Sequence, residues 1–148
     1  MKNKILRRLL IPCIIALGLY FLYFGNTQLA HPKTRAFYAE LKDALRRKGY
    51  SSNLIVFSTK RFSWHNWLIG GEPKSKHMSG EAMDFMVLDI NKDGKADGKD
   101  VDLVYAILDN EIMNKKGGIG TYKIHSKTFL YRQMIHIDCR EKRGRWTR

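Results

Sequence analysis

Three side chains stand out for what they could do together. His77 and Asp84 lie in the string SKHMSGEAMDF, and His136 lies in QMIHID. The second half of the first string and the whole of QMIHID read as strands, which turns Ala82 and Asp84 to one face and Met134, His136 and Asp138 to another common face. Two imidazoles and one carboxylate from two strands are the ligand set of a catalytic zinc, with three protein ligands and a fourth position open to water. Such a metal can bring its water close to neutrality in pKa and polarise a carbonyl. A single inward histidine is more often a hydrogen-bonded core residue. The grouping carries the metal reading.

The elements that must position this set follow from hydrophobic period and turn residues. Thr34 opens a helix whose stripe is Phe37, Tyr38, Leu41, Ala44 and Leu45, ending at Gly49. Asn53 to Ser58 reads as a strand, and Lys60 to Lys76, with Gly70, Gly71 and Pro73, as a loop with a short helix around Ser63 to Leu68. Glu81 to Leu88 is an expected strand, Gly98 to Met113 a helix, Lys123 to Leu130 a hairpin region and Gln133 to Asp138 a strand. Strands and helices in this order imply an α+β domain.

The string S-x-H-x-x-G-x-A-x-D, present as Ser75, His77, Gly80, Ala82 and Asp84, resembles the metal-binding motif of the zinc D-alanyl-D-alanine peptidases, whose fold is shared by the hedgehog signalling domain. Upstream, STKRFSWHNWLIGGEPKSKH is similar to the segment that leads to the first zinc ligand in that family. Downstream, GGIGTY and then MIHIDCREKRGRW resemble the end of its compact murein peptidase branch. The resemblance implies a small antiparallel-sheet domain that binds one zinc through His77, Asp84 and His136. It also implies cleavage of amide bonds in peptidoglycan stem peptides or cross-links, as a carboxypeptidase or an endopeptidase.

By the same resemblance Arg61 meets a substrate carboxylate, a task that suits a planar guanidinium, and Ser75 belongs to the substrate site. The proton acceptor departs from the pattern. Relatives place Glu three residues, or His two residues, before the last ligand, where this chain has Gln133 and Met134. Asp138 is then a candidate base or a residue that orients a ligand. Glu81 and His65 are further candidates. The alternative on the same fold is a noncatalytic module that binds peptidoglycan or a partner protein.

A second cation is suggested by DINKDGKADGKD. Asp89, Asn91, Asp93, Lys95 (through its carbonyl) and Asp100 fit the spacing of a twelve-residue calcium loop, with Gly94 at the sharp turn. Its twelfth position is Asp100 in place of Glu, which resembles the dockerin variant. The other reading is an Asp- and Gly-rich turn that caps a helix.

The chain begins with Lys2, Lys4, Arg7 and Arg8 before an apolar run from Leu9 to Phe24, the layout of a secretory signal. The length of the run, the Tyr20, Phe21, Tyr23 and Phe24 cluster at its end and the lack of a small-x-small cleavage site imply a retained anchor over residues 1–24. A linker over 25–33 and a domain over 34–148, with the calcium-type loop at 89–100, complete the expected organisation. The positive flank places the domain on the extracytoplasmic side of a bacterial envelope. Twenty-seven Lys and Arg against fourteen Asp and Glu, a net +13, imply an anionic partner such as a wall polymer. No nucleic-acid motif accompanies that charge. Cys13 in the apolar run and Cys139 in the domain cannot pair, and they fix no compartment.

Overall fold

The computed structural model describes residues 2–122 and 132–147, so the expected hairpin at 123–130 lies outside the described residues. Among the described residues one sheet is formed by β1 (Leu54–Ser58), β2 (Ala82–Val87), β3 (Gly118–Thr121), β4 (Met134–Asp138) and β5 (Gly144–Thr147), in the order β1-β2-β4-β3-β5. The β3–β5 pair is parallel and the other pairs are antiparallel. The helices are α1 (Lys2–Phe24), α2 (Pro32–Arg47), α3 (Ser63–Leu68) and α4 (Gly98–Ile107), the last continued by a π turn at Leu108–Ile112.

The two-residue period of the strands divides the sheet into a packed face and a chemical face. Met83, Phe85 and Val87 of β2, Ile119 of β3, and Ile135 and Ile137 of β4 are buried in one cluster with Leu41, Ala44 and Leu45 of α2 and Val101, Val104 and Leu108 of the α4 region. The intervening residues Asp84, His136 and Asp138 project from the other face. Antiparallel pairing sets Asp84 opposite His136 and Ala82 opposite Asp138, so register alone brings the second and third expected ligands side by side.

Helix α2 starts two residues before the expected Thr34, because Pro32 suits the first turn and the His31 ring accepts from Lys33 N at 3.2 Å. Residues 25–33, expected as a linker, are fastened to the domain. Asn26 caps a 3-10 turn at Thr27–Leu29, Thr59 Oγ1 donates to the carbonyls of Phe24 and Asn26, and His31 N donates to Gly80 O at 2.8 Å. Two strands, β3 and β5, were not expected. GIGT has no apolar alternation to read, and its pairing depends on partners distant in the chain.

The loop expected to hold calcium is closed by its own amides. Asp89 accepts from Asp93 N and Gly94 N, Asn91 Oδ1 from Asp93 N, and Asp93 Oδ1 from Lys95 N. Asp100, fully buried, accepts from Ile90 N at 2.8 Å, Asn91 N at 3.0 Å and Asp97 N at 2.9 Å, while Asp97 caps Lys99 N. This is a helix-capping box that also ties the loop to the end of the β2 segment. A calcium role for Asp89, Asn91, Asp93, Lys95 and Asp100 is therefore not supported, since these hydrogen bonds account for the loop's shape.

The stretch Leu10–Leu29 has a mean hydropathy of 1.6 and is long and apolar enough to cross a membrane. Leu10, Ile11, Ile14, Ile15, Leu17, Leu19 and Leu22 are all exposed, and Phe24 at the end of the helix is buried in the domain.

Candidate metal centre

Three elements deliver the site. His77 sits in the turn before β2, where Ser75 Oγ faces its amide at 3.4 Å and its carbonyl accepts from Arg61 N and Gly80 N. Its ring Nδ1 lies 2.7 Å from the carbonyl oxygen of Thr59. A carbonyl only accepts, so Nδ1 carries the hydrogen and Nε2 presents a lone pair inward. That Nε2 is 3.1 Å from Asp84 Oδ2 and 3.3 Å from His136 Nδ1, and His136 Nδ1 is 2.8 Å from Asp84 Oδ1. On its far side His136 turns Nε2 toward Asp138 Oδ2 at 3.4 Å.

Three acceptor groups thus face one point, and only a proton or a cation reconciles them. Ligand atoms about 2.0–2.1 Å from a tetrahedral zinc lie about 3.3–3.4 Å from one another; the two His77 separations of 3.1 and 3.3 Å are close to this, and the His136–Asp84 pair at 2.8 Å is drawn in by its hydrogen bond. The two imidazoles and the carboxylate therefore fit zinc in number, in type and in spacing, and no other trio of His, Cys, Asp or Glu among the described residues gathers in this way. Thr59 behind His77 and Asp138 behind His136 supply the outer hydrogen bonds that orient imidazole ligands.

The charges have a consistent sense. Burial opposes ionisation of Asp84, yet the neighbouring His77 and His136 outweigh it and hold the carboxyl well below the ordinary carboxylate range. Burial likewise works against a charged His136, but hydrogen bonds to Asp138 and Asp84 outweigh it and raise its pKa above the ordinary 6.5. In the metal-free protein that proton adds stability in full below 6.5, lost as pH rises through the raised value. Metal uptake runs the other way, because zinc must displace this proton. We expect zinc affinity, measured with a competing chromophoric chelator, to fall about tenfold per pH unit once the pH drops below the raised His136 value, with Asp84 contributing nothing above pH ~5.

A cleft of about 380 Å³ opens beside the ligands, lined by His77, His136, Asp138, Arg61, Ser75, Glu72, Lys74, Arg140, Tyr122 and Trp146 among others. Of the residues singled out in the sequence, His77, Asp84 and His136 come together, and Arg61, Ser75 and Asp138 border the cleft beside them. Glu81 does not line it. Hydrogen bonds from Lys76 at 2.7 Å and Ser79 at 3.0 Å occupy Glu81 and lower its pKa. His65 does not line it either, being packed against Phe24 with ring centres 4.1 Å apart, and burial, then Arg61 and His77, lower its pKa. Arg61 donates to Ser58 Oγ at 2.7 Å and to Asp84 Oδ2, so part of its guanidinium braces a ligand.

Asp138 is fully buried and receives Arg140 on both oxygens in addition to His136. Burial favours its neutral form, but those bonds drive its pKa far below the usual range. A carboxylate held so low is a weak proton acceptor near neutrality. Its geometry is that of a residue that orients His136. Gln133, at the position where relatives carry a base, is buried, and its amide lies against the carbonyls of Asp97 and Val87, to which its nitrogen would donate in the orientation that those neighbours favour.

Glu72, Lys74 and Tyr122 carry no signal of their own in the sequence, and Arg140 and Trp146 stand there only within the string MIHIDCREKRGRW. The glycines of GGIGTY carried a signal that can be read in retrospect. A Cβ on Gly120 would lie 2.3 Å from Trp146 Nε1, so the glycine lets the indole lie on β3, with its ring centre 5.2 Å from that of His136 and the Arg140 guanidinium 4.9 Å away.

A buried His-Asp-His centre at one edge of an open cleft, on a small α+β domain, defines the class: a metallohydrolase. Residues 26–98 match the family described as Peptidase M15, a family of zinc-dependent metallopeptidases, and the His-Asp-His group fits that match. The matched span holds His77 and Asp84 and ends before His136, which the sheet register supplies. No curated protein and no solved structure gives a significant match.

Proposed function

We propose that this chain is a zinc peptidase that hydrolyses amide bonds in peptidoglycan stem peptides or their cross-links, held by its N-terminal helix on the extracytoplasmic face of a bacterial membrane. The observation that carries the reading is the convergence of three proton-accepting groups on one point beside an open cleft. His77, Asp84 and His136 would hold zinc, which when bound polarises the scissile carbonyl and makes water nucleophilic.

The rest of the work falls to the chain's own residues. Thr59 keeps His77 in the tautomer that offers Nε2, and Asp138, clamped by Arg140, keeps His136 turned inward. Arg61, Lys74 and Lys76 make the cleft wall positive, which suits the carboxylates of stem peptides. Glu72 is the other carboxylate lining the cleft beside Asp138, and we assign it the proton transfer from water to the leaving amine. The signal helix and the net +13 support placement against an anionic wall.

The test is to incubate the full chain in detergent with purified peptidoglycan and analyse soluble products by mass spectrometry. Zinc-dependent, chelator-sensitive release of shortened or uncrosslinked stem peptides is expected, reduced on the order of 10²-fold or more in Glu72→Gln. Binding to the polymer without products in any metal state would favour the noncatalytic module instead.

A further inference from the structure

Helix α3 is inside-out for a protein surrounded by water. Its polar residues His65 and Asn66 are buried, while Trp64, Trp67 and Leu68 are 62%, 79% and 66% exposed, with Phe62 and Ile69 also exposed at its ends. Single exposed apolar residues are ordinary, but five within eight positions, two of them Trp, form a patch with a purpose.

Its location says which. The last turns of α1 pack on this helix: Tyr23 stacks on Phe62 with ring centres 5.3 Å apart, and Tyr20 and Phe24 meet His65 at 5.8 and 4.1 Å. The exposed apolar surface of α1 therefore runs into the exposed apolar surface of α3 at the point where a membrane span would emerge. Trp is enriched at the water–bilayer boundary, where an apolar ring with one polar N–H is most stable. Lys60 before the helix and Lys74 after it are exposed cations, suited to anionic headgroups.

We propose that Phe62, Trp64, Trp67, Leu68 and Ile69 insert into the headgroup region of the anionic bilayer that α1 spans, so that the domain lies on the membrane and does not swing on a tether. Arg61 precedes α3, and Gly71 and Glu72 follow it, so one segment carries both the lipid-facing helix and a wall of the cleft. Docking would hold the cleft at the bilayer surface. The inference rests on α1 being a membrane span, but not on the peptidase activity.

The full chain, with Trp146→Phe to leave Trp64 and Trp67 as the only tryptophans, is reconstituted into phosphatidylethanolamine/phosphatidylglycerol vesicles and recovered by flotation after an alkaline wash. Lipids brominated near the headgroup end of the acyl chains are expected to remove more than about half of the emission, with deep bromines less effective and aqueous acrylamide much weaker than on free tryptophan. Trp64→Ser with Trp67→Ser, at positions more than half exposed, should still float. Flotation with full acrylamide access and no bromine quenching would overturn the docking while leaving the anchor intact. Shielding from both quenchers would overturn it in favour of a protein contact, and failure to float after the wash would remove the anchor and the docking together.

Discussion

His77→Ala is expected to lose the single bound zinc and to lower amide hydrolysis by on the order of 10³-fold or more, about 4 kcal/mol of transition-state stabilisation. His77 is one of the three groups that we propose share the metal, and its Nε2 is directed by the Nδ1 bond to Thr59 O, so alanine removes a candidate ligand that no neighbour of the trio replaces. Asp138→Asn should be milder, on the order of 10- to 100-fold in metal affinity, because it leaves the three candidate ligands in place and disturbs the bond behind His136 and the Arg140 ion pair. Metal content by plasma emission spectrometry and product release by chromatography measure both. Full zinc occupancy in His77→Ala, with a near-native unfolding curve, would refute the assignment of the centre. Two-state melting of the variant, followed by circular dichroism, separates loss of a ligand from loss of the fold.

The second large effect concerns a glycine. Gly80 has φ +74°, and a Cβ there would lie 2.8 Å from the Leu29 carbonyl oxygen, backbone that cannot step aside without breaking the His31 N to Gly80 O bond. Gly49 has a similar φ of +79° but open space around it. Gly49→Ala should therefore cost about 1 kcal/mol, the left-handed backbone alone, whereas Gly80→Ala should cost about 3 kcal/mol or more by urea unfolding. Because Gly80 lies between His77 and Asp84, the variant should also bind zinc less tightly. Equal losses at the two glycines would show that residues 26–31 do not press on the metal turn in solution.

The sequence was legible where chemistry or period is local. The strand pattern of AMDFMV and MIHID marks an apolar face and puts Asp84 and His136 opposite it, and the fixed spacing around His77 is a turn that leads straight into a strand. Leu41, Ala44 and Leu45 of α2 are the core residues that their spacing implies. Glu81 and His65 were reasonable as acid–base candidates by type and position. One faces Lys76 and the other an aromatic cluster, and those partners are set by tertiary packing. Likewise the DINKDGKADGKD spacing specifies a sharp turn before a helix, while the choice of backbone amides as partners for Asp100 was made by the fold.

By itself the sequence determined the apolar N-terminal helix, the α+β class and the two histidines and aspartate that can share a metal, because period, helix-capping chemistry and ligand type are properties of short stretches of chain. Only the tertiary structure decided that β4 pairs with β2 in the register that sets His136 against Asp84, that Arg140 pairs with Asp138 behind His136, and that Trp146 and Glu72 border the cleft. Each of those facts joins residues far apart along the chain, and register, burial and charge pairing between distant segments are settled when the whole core packs.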